Sequence, residues 1–237
     1  MIGAVPALLA LAFAVTALLY ASVGFGGGST YAALLALSGL DYRLLPLVAL
    51  ACNIVVVTGG SIRFARARVT PWRRAGWLVG LGAPAAFLGG LTPIKEATFL
   101  ALLGLSLVLT SLAMLIPVRE AAEGARGRAA PLMTLAAAPL GYLAGLVGIG
   151  GGIFLAPLLH LARWHGAREI AATASLFILV NSLFGLAGQL LKNGPGLFGA
   201  AIGASLPLLV AVVIGGQAGS LLAVRLLPPQ WIRWLTA

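Results

Sequence analysis

Charge is what this sequence lacks. Only 8% of its 237 residues are charged and only five are acidic, whereas soluble domains carry about 25% charged residues. A soluble core cannot absorb a chain that is 61% hydrophobic with a mean hydropathy of +1.07, so the chain reads as a polytopic membrane protein. The few acids are also peripheral. Asp41, Glu96, Glu120, Glu123 and Glu169 fall in connections or at helix ends, which leaves no carboxylate proton relay inside the membrane segments. Cys52 is the single cysteine, and this excludes an internal disulfide or a cysteine-based metal cluster. No Met/His/Cys group suggests a metal carrier. Cys52, His160 and His165 are too isolated to form a nucleophile–base pair, so no enzyme is expected. No cofactor is called for.

Basic residues are present in excess, 15 against five acids, for a net charge of +10. They sit between apolar runs, as topology determinants do, which argues against a nucleic-acid partner. The N-terminus lacks the basic region of a signal peptide, and its apolar stretch continues too far for one; it reads as a first membrane element. A crossing helix needs about 20 mostly apolar residues. Leu44 to Ile62, Ala75 to Leu91, Ala97 to Ile116, Ile170 to Leu190 and Leu197 to Leu227 meet that need, the last with a kink expected at Pro207. Val5 to Leu40 and Pro131 to Ala162 do not fit a single span. Each would be roughly 50 Å long as one helix at 1.5 Å per residue.

Both of those long stretches contain the same glycine cluster. "GFGGG" occupies Gly24 to Gly28 and "GIGGG" occupies Gly148 to Gly152, 124 residues later. Superposing them also pairs Ala32 with Ala156, Leu34 with Leu158 and Leu35 with Leu159. A one-residue shift then aligns "ACNIVVVT" (Ala51 to Thr58) with "ASLFILVN" (Ala174 to Asn181). The fold class expected is therefore all-α: a polytopic membrane helical bundle of two related repeats, each with a Gly-broken helix. Residues 1–117 form the first repeat, 118–130 a cytoplasmic linker loop, and 131–237 a second repeat that lacks the counterpart of Ala97 to Ile116.

Each broken element is either one interrupted crossing or a hairpin, and the basic residues help to choose. Single crossings place nine basic residues on the side of Arg63 to Arg74 and six on the other; hairpins place twelve and three. The positive-inside rule favours hairpins. Each full half then makes an odd number of crossings, so the second repeat is expected to be inverted. Paired Gly-interrupted segments in inverted repeats are the best sequence pointer to a transporter's binding site.

The clusters supply a chemistry. Glycine tolerates positive φ, and a helix restarting after the break presents free N–H groups and a partial positive charge. That combination binds anions. The candidates are Gly26, Gly27, Gly28, Ser29 and Thr30 from the first break, with Ser29 as N-cap, and Gly150, Gly151, Gly152 and Ile153 from the second. Neither copy has the GK[ST] of a P-loop or the third glycine of GxGxxG. Small-xxx-small packing is the competing reading of one copy; two equivalent copies turn the balance towards a site. Polar residues within the spans are few. Asn53, Thr58, Ser175 and Asn181 are the lining candidates, while Trp72, Trp77, Trp164, Trp231 and Trp234 lie near span ends like interface anchors.

On the doubled motif "GFGGGSTYAALL" and "GIGGGIFLAPLL", together with "AATASLFILVNSLFG" (Ala171 to Gly185), the sequence resembles the TauE/SafE sulfite exporter family over essentially the whole chain. It departs at Ala33, where the second copy has Pro157. The resemblance implies transport of sulfite or a related organosulfur anion such as a sulfonate, in the bacterial inner membrane. Its partners would be a small anionic substrate and the lipid bilayer; a homo-oligomer is left open. The alternatives carried forward are an uptake permease for another small anion and a non-transporting membrane assembly protein.

Overall fold

The computed structural model describes residues 7–114, 130–162 and 164–225, and all regular structure among them is helical. The elements are α1 (Ala7–Val23), α2 (Gly28–Leu37), α3 (Leu45–Arg66), α4 (Trp72–Leu91), α5 (Glu96–Met114), α6 (Ala130–Val147) and α7 (Gly152–Leu161). They are followed by α8 (Ala167–Asn193), α9 (Pro195–Gly203) and α10 (Ser205–Leu221), with helical backbone continuing to Arg225. Of the predicted linker at residues 118–130, residues 118–129 lie outside the described residues and Ala130 opens α6. α3 and α8 are each long and apolar enough to cross a membrane, and α9 with α10 makes a third such element if the bent pair is one span.

The breaks have local causes. Gly194 adopts φ 79° and ψ 161° ahead of Pro195 and ends α8. α9 and α10 meet at 65°, one turn before Pro207. Proline has no N–H to give to the carbonyl four residues back, here Gly203, so the predicted kink falls on that missing bond. In both halves the glycine cluster separates a long helix from a short one. The short helices α2 and α7 are each 10 residues long, so Pro157 in place of Ala33 does not change the length of the element.

Directions follow from which residues touch. α3 and α8 run antiparallel: Leu50 approaches Gly185, Val57 and Ser61 meet Ser175, and Phe64 and Ala171 flank Gly24. α4 and α6 run parallel, since Gly141 lies on Gly82 and Gly145 on Ala86. α1 and α10 repeat that arrangement, with Gly215 on Ala14 and Gly219 on Leu18. The helix before each glycine cluster therefore packs on a helix from the far side of the chain: α1 on α10, and α6 on α4.

Both glycine-broken elements double back. The ring of Tyr31 on α2 stacks on Phe13 of α1 at a centroid distance of 4.7 Å, and Tyr20 meets Thr30 across the same turn. The loop after α2 shares a cavity wall with the end of α8 (Arg43 with Lys192). The loop after α7 joins the start of α4, where Arg74 Nη1 and His165 Nε2 are 2.9 Å apart. These two contacts lie at opposite ends of the bundle, so the hairpins enter from opposite ends.

Apolar side chains cover the outside of this bundle. Leu8, Leu11, Val15 and Leu19 on α1, and Leu105, Val108, Leu109 and Leu112 on α5, are exposed, as a lipid-facing surface requires. Trp72 and Trp77 are exposed as expected of interface anchors, but Trp164 is not. It is buried in the core beside Leu159 and Ile170, edge-on to His165. Trp231 and Trp234 lie outside the described residues.

The tight helix pairs give a direct prediction. A Cβ on Gly145 would collide with the Ala86 carbonyl, whereas one on Gly104 would meet nothing within 4 Å. Gly145→Ala should destabilise by about 1–3 kcal/mol through overpacking. Gly104→Ala should be neutral or stabilising by up to about 1 kcal/mol. Thermal unfolding of the two variants in detergent measures the difference.

Candidate functional site

The two hairpin tips meet in the middle of the bundle. Two equivalent pairs share a left-handed backbone, Gly24 and Gly148 at φ 87° and 83° and Gly27 and Gly151 at 79° and 81°, whereas Gly150 at 81° is left-handed and its counterpart Gly26 is not. Residues with a Cβ rarely adopt that conformation, so the cluster composition is a requirement of the turn. Gly27 and Gly151 are the N-caps of α2 and α7. Ser29, expected as the cap, is instead the second residue of α2, because the left-handed turn at Gly27 already starts the helix.

The first helical bonds run from Tyr31 N–H to Gly27 and from Leu155 N–H to Gly151. The N–H groups of the first turns, at Gly28, Ser29 and Thr30 and at Gly152 and Ile153, therefore have no acceptor within their helices. Each short helix ends its dipole at this point.

Asn53 of α3 stands between the tips and is fully buried. Its Nδ2 donates to the carbonyl of Ile149, in the second break, at 3.2 Å. A Cβ on Gly26 or Gly28 would strike its amide, and one on Gly150 would lie 2.8 Å from Nδ2. The same Gly150 position is 3.1 Å from Ser182 Oγ, and a Cβ on Gly151 would be 3.5 Å from Asn181 Nδ2. The glycines thus admit three polar side chains to the backbone of the breaks. Asn53 Oδ1, both amide atoms of Asn181 and Ser182 Oγ are buried without a hydrogen-bond partner. Most buried polar atoms are paired, so four unpaired atoms on three side chains beside the breaks are the chief chemical feature of the bundle; of these, Asn181 Oδ1 is turned towards Gly82 of α4. Tyr31 Oη adds a fifth beside Gly27.

The side chains of the remaining candidates are turned away from this point, although the backbone N–H groups of Thr30 and Ile153 stay in the first turns of α2 and α7. Thr58 donates back to Ile54 of its own helix at 2.5 Å. Ser175 meets Ser61 at 2.9 Å and binds the α3–α8 seam further along. Thr30 lies against Tyr20 at 3.1 Å, and Ile153 packs on the apolar core. Ser182 and Tyr31 belong at the centre but were not singled out by the sequence. The available signal was a tyrosine and a serine within otherwise apolar runs, each next to an identified candidate. Gln189 is fully used: its Nε2 donates to Gly145 at 3.0 Å, and its Oε1 accepts from Asn193 Nδ2 at 3.2 Å. Among the described residues, no group of three His, Cys, Asp or Glu converges to hold a metal.

Comparison with known proteins agrees with this architecture. The family model described as "Sulfite exporter TauE/SafE" matches residues 8–237. A protein of Sinorhizobium fredii (strain NBRC 101917 / NGR234), named "Probable membrane transporter protein y4hK", is 34% identical over 237 aligned residues, covering 95% of this chain and 91% of its own length. No solved structure is significantly similar. With a family model spanning nearly the whole chain and a relative that matches 95% of it, this chain belongs to the TauE/SafE sulfite exporter family.

Proposed function

We propose that this membrane transporter carries sulfite or a related sulfonate outward across the bacterial inner membrane, with the anion bound where the two glycine breaks meet Asn53, Asn181 and Ser182. The observation that carries the reading is the set of buried, unpaired polar atoms at that point. First-turn N–H groups of α2 and α7 supply donors suited to an anion. Asn181 Nδ2 and Ser182 Oγ add side-chain donors, and Asn53 Oδ1 and Asn181 Oδ1 add acceptors. A site with both kinds of group suits an anion that carries hydrogen, such as hydrogensulfite or an aminosulfonate. No catalytic step is assigned to it.

The antiparallel α3–α8 pair and the hairpins entering from opposite ends support an inverted repeat. They also support the topology in which Arg63 to Arg74 and the α7–α8 loop share the cytoplasmic side. The central site then lies near the midplane, where transporters of this design bind their substrates. Export of an anion from a negative-inside cell gains about 2.3 kcal/mol per charge per 100 mV, so outward flux needs no coupling ion.

Two measurements test this. Reconstituted protein should release labelled sulfite faster than empty liposomes, and a panel of sulfoacetate, taurine and thiosulfate sets the substrate range. Flux equal to empty liposomes for every member would sink the reading. Uptake driven only by an imposed ion gradient would replace export by import.

The second measurement separates binding from packing. Asn181 makes no protein hydrogen bond, so the near-isosteric Asn181→Leu should leave the melting temperature unchanged or raise it. Losing a hydrogen bond to a charged ligand, about 1.5–3 kcal/mol, should lower transport about tenfold or more. Thr58→Val should keep transport within about twofold, since its hydroxyl serves its own helix. Normal transport by Asn181→Leu would remove the residue from the site.

A further inference from the structure

A second feature lies outside the central site. At the end of the bundle where α3 and α5 begin and α4 and α8 end is a cavity of about 400 Å³. Its wall carries Arg43, Lys95 and Lys192, with the amides of Gln189 and Asn193. Among the described residues, none of the three cations forms a salt bridge with a carboxylate; the ion pair found there is His165–Glu169, at the other end. Asp41 and Glu96 neighbour Arg43 and Lys95 in sequence but do not line the cavity. The Asp41 carboxylate accepts from the Arg43 backbone N–H at 2.9 Å and adds its charge near the guanidinium, whose Nε donates to Tyr42 Oη at 3.4 Å. Lys192 Nζ donates only to the Thr92 carbonyl, at 3.3 Å.

The same three residues have a separate distinction. In the hairpin topology, twelve of the 15 basic residues fall on the cytoplasmic side. The remaining three are Arg43, Lys95 and Lys192. Positive charge on outer loops works against the orientation of the chain. Here all the outer cations gather around one cavity, which is a pattern expected of a binding surface and not of scattered loop charges. The cavity also borders the second break. Leu146 and Pro46 lie in its wall, and Pro46 closes on Gly148, the first residue of the second break.

We infer that this cavity is an outer anion vestibule, a second site at which a small oxyanion or sulfonate is held by Arg43, Lys95 and Lys192 before or after its passage through the central site. Its purpose rests on the transport reading; the binding stands on the cavity and its charges. Clefts lined by one sign of charge concentrate counter-ions and raise association rates tenfold or more. The amides of Gln189 and Asn193 face the same space, although both already share hydrogen bonds with the protein.

Thiol labelling of full-length protein tests the vestibule without requiring transport. Ile94 lines the cavity, and Cys52 is buried, so the parent chain is the blank for Ile94→Cys. Relative to a free thiol, Ile94→Cys should react about tenfold faster with an anionic methanethiosulfonate than with a cationic one. Sulfate should slow the anionic reagent more than chloride at equal ionic strength. The triple variant Arg43→Gln/Lys95→Gln/Lys192→Gln should lose both effects while keeping its melting temperature. The single variant Lys95→Gln, at an exposed position, should lose part of each if the triple variant does not fold. In spheroplasts, impermeant reagent should label Ile94→Cys from outside.

Equal reactivity towards the two reagents, sulfate protection no better than chloride, or labelling only from the cytoplasmic side would overturn the inference. Asn181→Leu separates the two sites. Vestibule protection that persists in that variant supports a site distinct from the centre, and its loss there would merge the two. Sulfate protection in a protein that moves no anion in liposomes would defeat the transport reading and leave the vestibule standing.

Discussion

Backbone that is not helical cannot face lipid, because each unpaired N–H or C=O there costs several kcal/mol. The whole bundle is organised around that constraint. Its two breaks, at Gly24 to Gly27 and Gly148 to Gly151, are hidden by being pressed against each other, with α3 and α8 passing on either side. Asn53 satisfies one exposed carbonyl, that of Ile149, across the contact. Gln189 covers another, at Gly145, where α6 approaches its break. The exchange of first helices between the halves has the same effect, since α4 closes over α6 and α10 over α1.

Glycine serves two ends in this arrangement, and the positions differ. Gly27, Gly148, Gly150 and Gly151 are held at positive φ and shape the turns. Gly82, Gly141, Gly145, Gly215 and Gly219 are helical and let backbones touch, as small residues do at membrane helix interfaces. Packing and site formation are therefore not rival accounts of the glycine content. Close helix approach is what brings the turns together, and the turns leave room for amides in place of apolar side chains.

Much of this was legible in the sequence. The helices lie close to the expected spans because hydropathy and length fix them. The hairpins were legible only through the basic residues, and contacts such as Arg74 with His165 now bear on the same choice. The lining residues were harder. Thr58 and Asn181 occupy matching places in the repeat, yet Thr58 bonds its own helix while Asn181 reaches the break. Sequence alignment of halves cannot reveal that, because side-chain direction depends on how α3 and α8 are rotated against each other. Trp164 escaped for a related reason. Its position near a span end indicated an interface, but a tertiary contact with Leu159 and Ile170 buries it.

Asn53 has one more consequence. It stands between two breaks of like sequence, yet 123 residues on from Asn53 the chain has Leu176, so its amide has no twin. The amide is also polar along its own length. Its amino end is tied to the second hairpin, while its oxygen is bound to nothing. The contact between two breaks of matching sequence thus has a head and a tail: one hairpin is held by the amide and the other is not.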